Sequence, residues 1–370
     1  GVDVLSFSVG EPDFNTPEHI GQAAKDAIAA GHTRYTAARG ILELRQAICE
    51  RSAKRRGGVA HDPSEVVVSV GAKHTLFNLA LALYDEGDEV IIPAPYWVSY
   101  PEQVRIVGAS PVIVDTDAAS GFRMTPEALS AAITPKTKAL VLCSPSNPTG
   151  SAYTAEQLRA LADVAAKHKF WLIVDEIYGE LVYEGFEQKS VLEVAPELKD
   201  RIIIVDGVSK TYAMTGWRIG WMLGPAHVAK ACDKIQGQAT TNPAAMAQYA
   251  TIAALRGPQE PIEAMRQAFE ERRGIIVEGL NAIEGIDCRT PEGAFYAFAS
   301  VKGLIGKRAG NKTLETDLDL AGYLLEEAKC AVVPGTAFGA PGFVRISYAA
   351  SNDMIREGLR RIGEAVSRLG

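Results

Sequence analysis

The chain has 370 residues, 47% hydrophobic and 22% charged, with a formal net charge of −7. That length suits two compact domains, or one large α/β domain with an appendage, and the acidic balance argues against nucleic acid or an anionic membrane as the main partner. No apolar run reaches the roughly 18–20 residues that cross a bilayer, and no signal peptide is visible. The five cysteines are scattered and form no C-x-x-C pair, so neither structural disulfides nor a metal site is expected and a reducing cytoplasm fits best. The sequence does not start with Met and opens on what reads as a strand, so further N-terminal residues are expected.

Near the start, Thr16, Pro17 and Gly31 bracket a helix, as N-cap, first-turn proline and C′ glycine. From about residue 64 to 225, apolar runs alternate with helix-length amphipathic segments, the pattern of a mostly parallel sheet covered by helices. Strands are expected over 65–70, 89–92, 111–115, 138–143, 171–175 and 201–205, with a helix from Ala72 to Tyr84. Thr154-Ala-Glu-Gln157 is a capping box opening a helix that runs to about Lys167. A long charged helix over roughly 258–284 has the length of a connector between domains. Beyond it, strands at 294–299, 331–333 and 344–348 and helices at 314–329 and 352–369 read as a smaller α+β domain. Residues 303–312 read as a flexible loop, and no internal repeat is present.

In sheets of this kind, ligands sit beyond the carboxyl ends of the strands. Three such places carry chemistry. The apolar run from Trp171 ends abruptly in Asp175, with Tyr178 three residues on. The stretch Gly207–Gly220 holds Lys210 and Arg218 eight residues apart among small residues. An amine that forms a Schiff base, a carboxylate that keeps a pyridine nitrogen protonated and a guanidinium that grips a phosphate suit pyridoxal 5′-phosphate. Gly71 and Ala72 follow a strand and open a helix, so their N–H groups can hold a phosphate. Arg345, inside an otherwise apolar strand, needs an anionic partner or an open face. Taken singly, each has a plain structural reading: a lone lysine is usually solvated, and every βα unit needs a turn.

The Gly207–Gly220 stretch resembles, position by position, the lysine-attachment signature of class I pyridoxal-phosphate aminotransferases, and the resemblance spans essentially the whole chain. It implies an α/β fold of type I: a large cofactor domain over 36–270 with a mostly parallel seven-stranded sheet sandwiched by helices, and a small α+β domain from 1–35 plus 271–370. It also implies the roles. Lys210 carries the cofactor and then serves as base. Asn147, in Asn-Pro-Thr-Gly150, and Tyr178 hydrogen-bond the phenolic oxygen of the cofactor. Trp97 stacks on its ring, and Arg218 binds its phosphate. Many relatives place a phosphate-binding serine where this chain has Gly207, a departure that Ser209 could offset. Tyr35 matches a tyrosine that reaches the phosphate of a neighbouring subunit, which implies a homodimer with shared sites. Arg345 and the backbone of Gly10 match the contacts to the α-carboxylate of the substrate. Lys73 matches a lysine of the bacterial aspartate aminotransferase subgroup that contacts a distal carboxylate. Aspartate and glutamate are therefore the implied substrates, with prephenate a further dicarboxylate. An aminotransferase for aromatic or neutral amino acids, or a β-lyase, would use the same cofactor residues. An inactive homologue would lack the lysine or the aspartate, and both are present.

Overall fold

The computed structural model describes residues 3–370. Its centre is a seven-stranded sheet of β1 (Val66–Ser69), β2 (Glu89–Ala94), β3 (Ser110–Asp115), β4 (Thr137–Cys143), β5 (Trp171–Asp175), β6 (Ile202–Gly207) and β7 (Gly220–Leu223), in the spatial order β1-β7-β6-β5-β4-β2-β3. Every pairing is parallel except those of β7, which runs against both β1 and β6. Each parallel crossover carries its chain over one face, so both faces are buried and the strands read as continuous apolar runs. Alternate residues serve opposite faces. Val67, Val90, Val141, Ile173, Ile203 and Met222 pack with Leu79 and Val228 on one side, whereas Val68, Ile91, Leu140, Leu172, Ile204 and Leu223 face the other. Burying each such side chain contributes about 2 kcal/mol.

Strand β7 lies outside the six strands that apolar runs predict in this region. It is four residues long and begins on Gly220, where a Cβ would lie 2.7 Å from the carbonyl carbon of Gly71. Only glycine allows this close approach, which brings Arg218 beside the start of the helix Ala72–Leu83. The capping box at Thr154 and Gln157 is formed and opens the helix Ala155–Ala166. At the first helix, Glu18–Ala29, the expectation for Thr16 fails. Pro17 occupies the cap position, and no side chain among the described residues caps the helix. The Thr16 hydroxyl instead donates to the Ala213 carbonyl (2.7 Å) and accepts from Trp217 Nε1 (3.0 Å). That tertiary pairing ties the N-terminal segment to the loop after Lys210. Gly31 does close the helix, with φ +80°.

The smaller sheet holds Tyr296–Ser300 and Phe343–Ser347 as an antiparallel pair, flanked by Val333–Pro334 and Asp287–Cys288. The long helix Glu260–Asn281 packs on this sheet and on Asn352–Val366. Leu5–Ser6 pairs with Cys330–Ala331, so the start of the chain joins this layer too. The 303–312 region is not a structureless loop. Arg308–Ala309 and Lys312–Thr313 pair as a short hairpin, and Arg308 exchanges backbone hydrogen bonds with Gly370. Among the described residues no helix is long and apolar enough to cross a membrane, no metal-binding cluster is present, and all five cysteines are free.

Candidate active site

A cavity of about 550 Å³ opens at the carboxyl ends of the parallel strands. Gly10, Ala72, Lys73, Trp97, Asn147, Asp175, Tyr178, Ser209, Lys210, Arg218 and Arg345 all line it. Residues more than 330 positions apart thus converge, because β1, β4, β5 and β6 end on one edge and the strand 343–347 faces that edge. Gly71 sits just behind the wall. Tyr35 alone among the anticipated residues is elsewhere, 87% exposed at the surface.

Asp175, at the end of β5, is 2% exposed. Its carboxylate accepts from the Tyr100 hydroxyl (2.8 Å) and the Ile177 amide (3.1 Å) and forms no ion pair among the described residues. Burial outweighs these two donors and pushes its pKa from 3.8 up to about 6. Such a carboxylate is stabilised by whatever cationic donor enters the cavity. The Lys210 amine donates to the Gly10 carbonyl. Burial lowers its pKa to about 8, an effect opposed by Glu11 and aided by Arg218 and Arg345. Lys210 is therefore partly neutral near physiological pH, as a nucleophile or base requires.

Arg218 adopts a left-handed backbone conformation, φ +58°, which an arginine rarely takes. Its guanidinium is aimed at the start of the helix 72–83 by the carbonyls of Thr215 (2.8 Å) and Val70 (3.3 Å). A Cβ on Gly71 would lie 2.9 Å from Arg218 Cζ, so glycine is needed there for space and for its own φ of +85°. With carbonyls as its hydrogen-bond partners and no carboxylate on it among the described residues, the guanidinium makes an anion cradle with the N–H groups opening that helix. Gly207, the departure from the common serine, has a packing reason. A Cβ there would meet the Ile219 carbonyl at 2.9 Å and Gly220 Cα at 3.0 Å.

Arg345 donates to Asn147 Oδ1 (2.8 Å) and to the Ser8 carbonyl (2.7 Å) and lies over the rings of Tyr296 and Phe338. Its Nε is buried without a partner. With its carbonyl oxygen engaged, the Asn147 side chain offers its NH₂ to the cavity. Lys73 Nζ stands 4.9 Å from the centroid of the Trp97 ring. Lys73, Lys210, Arg218 and Arg345 thus surround one cavity, and none forms a salt bridge among the described residues. Their excess of positive charge is the opposite of the chain's overall acidity.

Two tyrosines that line the cavity were not among the sequence candidates. Tyr100 lies in the segment that contains Trp97, but its role depends on the helix Ser99–Ile106 placing its hydroxyl on Asp175. Tyr296 comes from the smaller sheet, and its hydroxyl meets that of Tyr178 at 2.9 Å. No local signal distinguishes either from a core tyrosine.

The model of the family described as aminotransferase class I and II matches residues 2–362. The chain belongs to this aminotransferase family. The aspartate aminotransferase of Rhizobium meliloti strain 1021 is 50% identical over 371 residues, covering all of this chain and 90% of the relative. The aspartate/prephenate aminotransferase of Cereibacter sphaeroides is 48% identical, covering 98% of this aminotransferase and 91% of that one. Among solved structures, the aspartate aminotransferase from Rhizobium meliloti superposes with a TM-score of 0.97 at 49% identity, covering 99% and 92% of the two chains. That from Thermus thermophilus, solved with maleate, gives 0.92 at 44% identity, covering 98% and 92%.

Proposed function

We propose that this aminotransferase moves the amino group of L-aspartate or L-glutamate to 2-oxoglutarate or oxaloacetate, with pyridoxal 5′-phosphate as cofactor. The observation that carries the reading is that two cationic groups, Arg345 and Lys73, line one cavity with Lys210, each without a carboxylate partner among the described residues. A dicarboxylic amino acid satisfies both at once. Prephenate is a dicarboxylate as well, and the naming of a relative at 48% identity as an aspartate/prephenate aminotransferase supports including it.

The residues fit the cofactor. Asp175 is a buried carboxylate lacking a cation and suits a protonated pyridine nitrogen. The cradle of Gly71, Ala72, Ser209 and Arg218 suits a phosphate. Trp97 offers a ring face, and Asn147 and Tyr178 offer donors for a phenolic oxygen. When bound, pyridoxal phosphate supplies an aldehyde that takes up the amino group and a ring that accepts the electrons left when the α-proton departs. Lys210 would hold the cofactor, and its Nζ, with the lowered pKa of a neutral amine, would take the α-proton. Arg345 and the Gly10 backbone orient the α-carboxylate, and Lys73 the distal one. The exposure of Tyr35 supports a role outside its own cavity, reaching the cofactor phosphate of a second copy in a homodimer. Five free cysteines fit a reducing, cytoplasmic setting.

An absorbance scan of the purified enzyme before and after L-aspartate tests this. A visible band should be present and should give way to near-ultraviolet absorbance, and Lys210→Ala should hold the cofactor only non-covalently and lose turnover. A band that aspartate leaves unmoved refutes the substrate reading. No band, even after cofactor is added, refutes the whole.

A further inference from the structure

Six charged side chains beside this site have no part in the roles above. Arg51 and Arg55, on the helix Leu42–Arg55, and Arg56 just after it, meet Glu176, Glu180 and Asp206. Arg56, with 2% side-chain exposure, donates through Nε to Glu176 Oε2 and through Nη2 to Asp206 Oδ2, both at 2.7 Å. Ser190 donates to the other oxygen of Glu176 at 2.6 Å, and Arg55 Nη1 reaches Asp206 Oδ2 at 2.8 Å. Three positive charges meet three negative ones.

Burial of such a cluster is a poor source of stability, because apolar side chains of similar volume do as well or better. Its placement is more telling. Glu176 follows Asp175 directly, and Asp206 lies four residues before Lys210. The Glu176 amide donates to the Val205 carbonyl (2.8 Å), and Asp206 Oδ1 accepts from the Gly207 amide (2.8 Å). The planar fork of Arg56 therefore spans the two strand ends that carry the carboxylate and the amine of the site, and a fork has one geometry. The charges of Asp206 and Glu176 also act on Asp175 against its ionisation, and Arg55 and Arg56 pair with those two carboxylates.

We propose that the Arg56 bridge between Glu176 and Asp206 is a positioning device for the transamination. It holds the ends of β5 and β6 at a fixed separation and keeps the field at the cofactor ring balanced. This rests on Asp175 and Lys210 flanking a bound pyridoxal phosphate. Asp175 also faces Tyr100 and Cys143, and Lys210 faces Glu11, Arg218 and Arg345. The test leaves all of these unchanged.

The experiment is a spectrophotometric pH titration of the visible band in cofactor-loaded wild type, Glu176→Gln, Arg56→Met and the double variant. Removing a negative charge disfavours the protonated form, so Glu176→Gln should lower the midpoint by several tenths of a pH unit. Arg56→Met should raise it by a similar amount, and the double variant should return toward wild type. The kcat should fall about tenfold in the single variants, with KM for aspartate nearly unchanged. Loosened packing alone would move both midpoints the same way or neither, and either result overturns the proposal. Should Arg56→Met fail to fold, Arg56→Lys keeps the charge without the fork. Its midpoint should match wild type while its kcat falls, and a wild-type kcat in that variant overturns the proposal. Unmoved variants beside a wild type with a normal band refute only this inference, whereas a wild type with no band refutes the cofactor reading on which it stands.

Discussion

Asp175→Asn separates the cost of building this site from its use. In the cofactor-free protein the carboxyl group holds its proton to about pH 6, against an ordinary value of 3.8. At ~1.4 kcal/mol per pH unit, the buried carboxylate therefore destabilises the folded state by ~3 kcal/mol at neutral pH. The sign follows from proton counting. Below pH 4 the group is protonated in both the folded and unfolded states and costs nothing. Between 4 and 6 the unfolded chain releases the proton while the folded one retains it, so stability falls as pH rises, and above 6 the deficit is constant. Asparagine removes the charge but accepts from only one of the two donors, Tyr100 and the Ile177 amide, which returns ~1 kcal/mol. Cofactor-free Asp175→Asn should thus be ~2 kcal/mol more stable than wild type at pH 7.5 in urea titrations, with the order reversing to ~1 kcal/mol less stable by pH 4. The loaded variant should lose most of its turnover, because an amide does not hold the pyridine nitrogen protonated. A variant no more stable than wild type at pH 7.5, or a gap independent of pH, would refute the reasoning.

Further outcomes follow from the other groups. Capture of added pyridoxal phosphate by the cofactor-free enzyme should speed up as pH rises and level off above about 8, where the Lys210 amine becomes neutral; continued acceleration to the range of free lysine would contradict its depressed pKa. Arg345→Ala should lower kcat/KM by ~100-fold for aspartate and alanine alike, since a paired charge-assisted hydrogen bond to an α-carboxylate is lost. Lys73→Ala should lower it at least ~10-fold for aspartate with little effect on alanine, and equal losses would remove Lys73 from the distal site. In Gly71→Ala the added methyl displaces Arg218 and strains a backbone at φ +85°, so cofactor should dissociate faster on dilution, followed by loss of the visible band.

The sequence alone determined the parallel core and the polar ends of its strands. A run such as Trp171–Val174 buries both faces, and its abrupt stop at Asp175 marks the edge where ligands bind. Spacing within Gly207–Gly220 likewise carried Lys210 and Arg218, because their roles require small neighbours adjacent in sequence. The tertiary structure decided what depends on partners distant in the chain. Thr16 is a cap by local rules, yet Ala213 and Trp217 recruit its hydroxyl. Strand β7 is too short to stand out as an apolar run and exists because Gly220 fits against Gly71. Tyr100, Tyr296 and the Arg56 bridge acquire their functions only through side chains dozens to hundreds of residues away. Local patterning fixes the longer strands and helices, whereas short elements such as β7 and the hairpin 308–313 depend on what they pair with. The pairing of buried polar groups is set by packing, since each must find its partner wherever the folded chain delivers one.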